Sequence, residues 1–126
     1  MIKTTLQENL CTFSALGDKA PVVKTEYNTP REQMNPGELL AASLGACMLT
    51  MIGFMASRRN EQVAGTQALV EPKFDEKHSR ITTFTVTFVF PEILTKEQKD
   101  FYVKAAQTCP VHNSLREDIT YTIIVK

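Results

Sequence analysis

The spacing of apolar and polar residues divides the chain into short strands, one long apolar segment, a hairpin, a second helix and a last strand. From residue 2 to residue 27 the two kinds of side chain alternate around a turn at Gly17, which predicts short strands. Residues 62–74 and 80–90 flank a polar turn, and the second of these segments alternates apolar residues with threonine. We therefore expect a β-hairpin whose second strand places four residues on one buried face: Phe84, Val86, Phe88 and Phe90.

The segment from Leu39 to Ala56 contains 18 residues without a single charge. Asn35 followed by Pro36 is typical of a helix N-terminus, because asparagine caps the free amides and proline is favoured at the first helical position. A helix is predicted from Pro36 onward, and it is apolar on every side.

Such a helix has two possible environments. By length it reaches the lower limit for a membrane span. Ser43, Thr50, several alanines and glycines, and flanking segments that alternate like soluble strands argue against that interpretation. Burial in a protein core is the alternative, but one small domain cannot cover a helix of about 35 Å on all sides. We therefore expect a second subunit to complete the cover, in a homodimer.

The C-terminal third combines a helix, a short helical turn and a strand. Thr95 and Gln98 form a capping-box pattern at the start of a helix whose inward face extends to Cys109. Pro110 interrupts that helix and can begin a short turn through Ser114, and alternation from residue 119 to residue 125 predicts the last strand. Without regular strand–helix alternation, the fold class is α+β with antiparallel sheet. The whole chain, residues 1–126, is expected to form one domain.

Charge and cysteine content narrow the function classes. Lysine plus arginine and aspartate plus glutamate are equal at 14 each, without a basic block, so a nucleic-acid or anionic membrane partner is not expected. The N-terminal residues have no apolar signal core, which predicts a cytoplasmic location. Three widely spaced cysteines, Cys11, Cys47 and Cys109, do not form a disulfide framework. Any disulfide would then be transient and functional.

The cysteines taken alone do not identify a chemistry. Cys47 lies among alanines and leucines, where a cysteine is ordinarily a small core residue, and it is too far from the helix N-terminus for the dipole to activate it. A reactive thiolate there would need an external cation. Cys109 can likewise be an ordinary core residue, because it lies on the apolar face of its predicted helix. A zinc site built from Cys47, Cys109 and His112 would lack a fourth ligand, and no metal or cofactor is expected.

Two motifs resemble those of a known family. The stretch from Asn35 to Cys47, NPGELLAASLGAC, is similar to the helix that carries the reactive cysteine in the OsmC/Ohr superfamily. The segment from Ala105 to Val111, AAQTCPV, resembles the segment that holds the second cysteine of that family. The resemblance covers essentially the whole chain. It implies an OsmC-like fold, in which antiparallel sheets wrap around long central helices in an intertwined homodimer with active sites at the subunit interface.

The resemblance also implies an activity, the reduction of organic hydroperoxides. Cys47 would attack the peroxide and become a sulfenic acid, and Cys109 would capture that sulfur as a disulfide. A dithiol, for example on a lipoylated protein, would restore both thiols. The family has an arginine before the helix that stabilises the thiolate, and Arg31 is the only arginine before Cys47. Cys11 is expected to be a bystander.

One position departs from the family pattern. Gly37 stands where the classical hydroperoxide reductases have a glutamate that pairs with the arginine. Glu32 and Glu38 are the alternative carboxylates, but Glu38 precedes Cys47 by about 900° of helix and should emerge on the opposite face. It should not simply substitute within one subunit. A binding protein of the same fold without efficient turnover is therefore the second hypothesis, and a Cys47-dependent hydrolase or transferase is the third.

Overall fold

The computed structural model describes all residues from Met1 to Lys126 and contains two three-stranded sheets and three α-helices. The chain divides into two units, Met1–Leu40 and Ala41–Lys126. The predicted α+β class is confirmed. That residues 1–126 form a single domain remains a prediction.

The first unit is built on an antiparallel sheet. Its strands are β1 (Ile2–Leu6), β2 (Cys11–Leu16) and β3 (Val23–Glu26), in the order β1-β2-β3, and a short 3-10 helix spans Glu8–Leu10. The turn at Gly17 has a φ of +63°, a conformation that glycine adopts without strain. All residues of β1 are exposed, and Thr25 is the only buried residue of this sheet. Much of its apolar surface therefore remains uncovered in a single chain.

Helix α1 (Pro36–Arg59) begins at the predicted residue. The side chain of Asn35 accepts a hydrogen bond from the Glu38 amide at 2.8 Å, and the Glu38 carboxylate accepts one from the Asn35 amide at 3.0 Å. This reciprocal pair is a capping box, which satisfies amides that the first turn would otherwise leave unpaired.

Only one face of α1 is buried within the chain. The buried residues follow helical spacing along a single stripe: Ala41, Leu44, Gly45, Met48, Ile52 and Ala56. The other face is equally free of charge but exposed, and Phe54 on it is 51% exposed. By length and composition α1 could cross a membrane, a property that core helices of soluble proteins share. A contiguous exposed apolar face usually marks an interaction site.

The second unit contains the other sheet, formed by β4 (Gln67–Phe74), β5 (Ile81–Val89) and β6 (Thr120–Val125). The predicted hairpin is confirmed, although β4 begins at Gln67 because the residues before it form a turn. Strand β6 pairs with β5 in parallel, so the expectation of antiparallel pairing is wrong for this strand. Residues 90–119 separate the two strands, and a connection of that length can carry the chain back to the starting edge.

The core of the second unit lies where β5 faces α1. Phe84, Val86 and Phe88 are fully buried, and Phe90 is 5% exposed, as the alternation predicted. Gly45 brings α1 close to β4, since a Cβ at this position would lie 3.1 Å from the Val70 Cγ2 atom. The absence of a side chain there sets the height of the helix above the sheet.

Two short helices complete the second unit. Helix α2 (Lys96–Ala106) begins with the predicted capping box of Thr95 and Gln98, and α3 (Pro110–Ser114) begins at the predicted proline. Cys109 is buried, as expected, but α2 ends at Ala106, so this cysteine does not belong to its face. Cys109 is instead the N-cap residue of α3.

Candidate functional site

The second unit brings two cysteines together that are 62 residues apart in the sequence. Cys47 lies on α1 and is partly exposed, whereas Cys109 precedes α3 and is 0% exposed. Both are free thiols. The Cys47 side chain lies close enough to the Cys109 thiol to raise the pKa of Cys109. One cysteine of the pair is thus partly exposed to solvent, and its neighbour is buried.

The environment of Cys109 favours the protonated thiol. Burial raises its pKa above the ordinary value of 9.0, and the adjacent Cys47 raises it further. The backbone amide of His112 acts in the opposite direction, because it donates a hydrogen bond to the Cys109 sulfur at 3.3 Å. The Cys109 carbonyl in turn accepts from the Asn113 amide at 3.1 Å. The short helix therefore fixes the sulfur position and directs backbone amides of His112 and Val111 at it.

The ring of Tyr121 packs between an aromatic residue of α3 and one of β5. The His112 ring packs on the Tyr121 ring with 4.5 Å between centroids, and the other neighbour of Tyr121 is Phe84 at 6.0 Å. The Tyr121 hydroxyl is buried and has no hydrogen-bond partner. Burial raises the pKa of Tyr121, and the charge of Cys109 raises it further. In the sequence, Tyr121 is one of the alternating residues of the predicted last strand and belongs to no motif.

The first unit contains an arginine–carboxylate pair. Arg31 Nη1 lies 2.5 Å from Glu38 Oε1, and the same nitrogen donates to the Gln33 carbonyl at 2.8 Å. The Asn35 amide first, then Arg31, holds the pKa of Glu38 below its usual value of 4.5. The capping box turns the Glu38 carboxylate back toward the preceding loop, where Arg31 reaches it. Although Gly37 replaces the glutamate that pairs with this arginine in the family, Glu38 supplies a carboxylate partner for Arg31.

The other sequence candidates do not join these pairs. The Glu32 amide donates to the Glu26 carboxylate at 3.0 Å, and Arg31 pairs with Glu38 rather than with Glu32. The Cys11 thiol donates to the Asn9 carbonyl at 3.7 Å. No group of three or more histidine, cysteine, aspartate or glutamate side chains is arranged to hold a metal ion. That Arg31 acts on Cys47 stays a prediction, since the ion pair and the thiol pair belong to different units.

Comparison with known proteins agrees with this fold. The chain is similar to a candidate osmotic stress induced and detoxification response protein from Psychrobacter arcticus 273-4, at 29% identity and a TM-score of 0.91 over 99% of this chain and 94% of the other. It is similar to an OsmC like protein from Mycoplasma pneumoniae at 13% identity and a TM-score of 0.86, over 100% of this chain and 94% of the other.

A third similar structure is the organic hydroperoxide resistance protein OhrB of Bacillus subtilis, at 18% identity and a TM-score of 0.73 over 100% of this chain and 96% of the other. Among curated proteins, none matches this sequence. The family model described as OsmC-like protein matches residues 29–124, a range that includes both cysteines of the thiol pair and the Arg31–Glu38 pair. The chain therefore belongs to the OsmC-like protein family.

Proposed function

We propose that this protein is a thiol-dependent peroxidase that reduces organic hydroperoxides to alcohols. The observation that carries the proposal is the adjacency of a partly exposed thiol, Cys47, and a fully buried one, Cys109. Membership of the OsmC-like family supports a peroxidase-like redox role in general. Fold relatives from Bacillus subtilis and Elizabethkingia anophelis are organic hydroperoxide resistance proteins.

The proposed reaction has two oxidative steps. The Cys47 thiolate attacks one peroxide oxygen, the O–O bond breaks, and the alkoxide leaves as an alcohol after taking a proton. Cys47 is then a sulfenic acid. The Cys109 sulfur attacks it, a disulfide forms, and the hydroxyl group leaves as water. The difference in exposure supports this assignment of roles, because a bulky hydroperoxide can approach Cys47 but not a sulfur that is 0% exposed.

A dithiol reductant is proposed to close the cycle. It transfers two electrons to the Cys47–Cys109 disulfide and leaves as a cyclic disulfide itself. A lipoylated protein in the cytoplasm has suitable chemistry. The reaction needs no metal or organic cofactor in the protein.

Arg31 is the proposed cation for the Cys47 thiolate, with Glu38 as its orienting carboxylate. Cys47 lies 11 residues beyond Pro36, so the dipole of α1 gives it little help. The Glu38 carboxylate, held by the capping box, and the Gln33 carbonyl both restrain the guanidinium. A guanidinium that is already restrained loses less entropy when it binds a thiolate. Pairing with Glu38 would give Arg31 this advantage toward Cys47.

A homodimer is the proposed assembly. The uncovered face of α1 is uncharged from Leu39 to Ala56 and includes the half-exposed Phe54. In the first unit, Leu6, Leu16 and Tyr27 are also more than half exposed. A second copy of the chain would bury this apolar surface, and burial of about 25 cal/mol per Å² provides the driving force.

One assay separates the peroxidase from a binding protein of the same fold. Reduced protein is mixed with cumene hydroperoxide or with hydrogen peroxide, and loss of free thiols is followed. A peroxidase oxidises quickly and prefers the organic substrate, whereas a binding protein oxidises slowly with no preference.

Cysteine variants test the two roles. After one equivalent of cumene hydroperoxide, mass spectrometry should find a loss of two hydrogens that maps to a Cys47–Cys109 bond. Cys47→Ser should abolish peroxide consumption, because a serine hydroxyl is not ionised near neutral pH. Cys109→Ser should gain one oxygen and, with excess oxidant, two. Cys11→Ser is the matched control and should behave like the unmodified protein. A disulfide through Cys11 would contradict the assignment.

A further inference from the structure

The Tyr121 hydroxyl is a buried polar group without a partner beside the thiol pair. Its oxygen accepts and donates no hydrogen bond, and its ring is held between His112 and Phe84. Buried hydroxyl groups are nearly always paired, because an unpaired one loses its bonds to water and gains none in exchange. An unpaired group at a redox site suggests that it finds its partner in another state of the cycle.

Other buried polar atoms without a partner have different neighbours. Arg80 Nη2 lies 3.1 Å from an Asp118 carboxylate oxygen, and the Tyr102 hydroxyl lies beside the Glu61 carboxylate, which helps to raise the pKa of Tyr102 after burial. Among the residues with such unpaired atoms, only Tyr121 has a pKa that is raised by the charge of the ionised Cys109 thiol. The state that would give it a partner is therefore one in which Cys109 is an anion.

Such a state occurs when the disulfide is reduced. A dithiol can reach the Cys47 sulfur, whereas Cys109 is fully buried. The attacking sulfur bonds to Cys47, the Cys47–Cys109 bond breaks, and its electron pair leaves on Cys109 as a thiolate. A buried anion needs hydrogen-bond donors, and the backbone amides of His112, at 3.3 Å, and of Val111 act on this sulfur. A side-chain donor would stabilise the anion further.

We propose that the Tyr121 hydroxyl donates a side-chain hydrogen bond to the Cys109 thiolate when this sulfur leaves the Cys47–Cys109 disulfide. This role rests on the proposed peroxidase cycle and assigns a residue to its reductive half. The phenol keeps its proton throughout. The thiolate later takes a proton from solvent, so that two thiols and the oxidised dithiol are the products.

The first test measures the thiolate directly and needs no peroxide. In Cys11→Ser/Cys47→Ser protein, Cys109 is the single cysteine, and its pKa is read from the NMR shift of a ¹³C-labelled cysteine. Tyr121→Phe keeps both ring contacts and removes the hydroxyl. The pKa of Cys109 should rise by about one to two units, the 10- to 100-fold effect of losing one hydrogen bond to an anion. Tyr102→Phe is the matched control and should leave it unchanged.

Two outcomes would overturn the proposal: an unchanged pKa in Tyr121→Phe, or an equal rise in both tyrosine variants. A second variant covers the case in which Tyr121→Phe perturbs folding. Incorporation of 3-fluorotyrosine at residue 121 keeps the hydroxyl and makes it a stronger donor, so the pKa of Cys109 should fall. A rise there would also contradict the role.

The second test follows reduction. The Cys47–Cys109 disulfide is formed with diamide in otherwise unmodified protein and reduced with dithiothreitol. Tyr121→Phe should slow reduction about 10- to 100-fold, and Tyr102→Phe should not. An equal rate in both variants and in the unmodified protein would overturn the proposal. Neither test uses a hydroperoxide, so failure of the peroxidase activity itself would appear separately, as unreacted thiols in unmodified protein mixed with cumene hydroperoxide.

Discussion

The close approach of α1 to β4 at Gly45 allows a quantitative prediction about the helix that carries Cys47. In Gly45→Ala the new Cβ would lie 3.1 Å from Val70 Cγ2 and 3.7 Å from Ala68 Cβ. The second distance is an ordinary contact, whereas the first is shorter than methyl groups normally adopt. The substitution therefore requires either the Val70 side chain or the helix to move.

Two opposing effects determine the size of the change. Alanine is preferred to glycine inside a helix by about 1 kcal/mol. Extra volume in a packed core costs about 1–3 kcal/mol, because side chains leave their favoured rotamers or the backbone shifts. We expect Gly45→Ala to lower the free energy of unfolding by about 1 kcal/mol in total.

A double-mutant cycle with Val70→Ala separates the two effects. The helix preference for alanine is the same with either residue at position 70, so it cancels in the coupling energy and the contact remains. The free energy of unfolding is measured with urea at one fixed protein concentration. In the double variant it should exceed the value expected from adding the effects of Gly45→Ala and Val70→Ala by about 1–2 kcal/mol. Additivity within about 0.5 kcal/mol, or stabilisation by Gly45→Ala alone, would refute the packing argument.

The same cycle has a functional readout. Cys47 follows Gly45 by two residues on the same helix, so a helix displaced from the sheet carries the Cys47 sulfur away from Cys109. Disulfide formation with diamide should be slower in Gly45→Ala and recover in the double variant with Val70→Ala. Loss of stability without any change in this rate would mean that Val70, and not the helix, had moved.

Three further predictions concern the ion pair and the uncovered helix face. Arg31→Ala should slow alkylation of Cys47 at pH 7 about tenfold, because a nearby cation favours the thiolate; an unchanged rate would remove Arg31 from the site. Glu38→Gln keeps the capping box and loses the ion pair, so it should cost about 0.5 kcal/mol at pH 7. The Glu38 carboxylate has a pKa below 4.5, and this difference should disappear as pH falls below that value. Sedimentation should find a dimer at micromolar concentration, and Phe54→Glu should shift it toward monomer by 100-fold or more, about 3 kcal/mol.

Much of the fold follows from local signals in the sequence. The capping box at Thr95, the proline starts of two helices and the alternation of β5 each depend on a few neighbouring residues, and each is confirmed. The parallel pairing of β6 depends instead on the path of residues 90–119 in space. The spacing of apolar residues does not encode that path. The predicted antiparallel pairing of β6 was therefore wrong.

The candidate site divides in the same way. Cys47 and Cys109 were identified by their motifs, and their adjacency depends on tertiary structure that joins α1 to α3. Glu38 was expected to point away from Cys47 by helical spacing. Helical spacing does not include the capping box, which folds the carboxylate back toward the loop and makes it available to Arg31. Tyr121 carried no motif, because an inward tyrosine in a strand is ordinarily a core residue.

The pH dependence of the resolving step tests whether burial of Cys109 controls the chemistry. A thiolate is the attacking species, and burial raises the pKa of Cys109 above 9.0, while the His112 amide opposes this. Tyr121 is the other titratable group that interacts with the sulfur. Below that pKa the thiolate fraction rises about tenfold per pH unit, so capture of the Cys47 sulfenic acid should accelerate about tenfold per unit from pH 6 to pH 9. Rapid mixing with cumene hydroperoxide, an acid quench and mass spectrometry measure the sulfenic acid and the disulfide at each pH. A plateau below pH 8 would mean that Cys109 is already ionised at neutral pH, and that its burial does not keep it protonated.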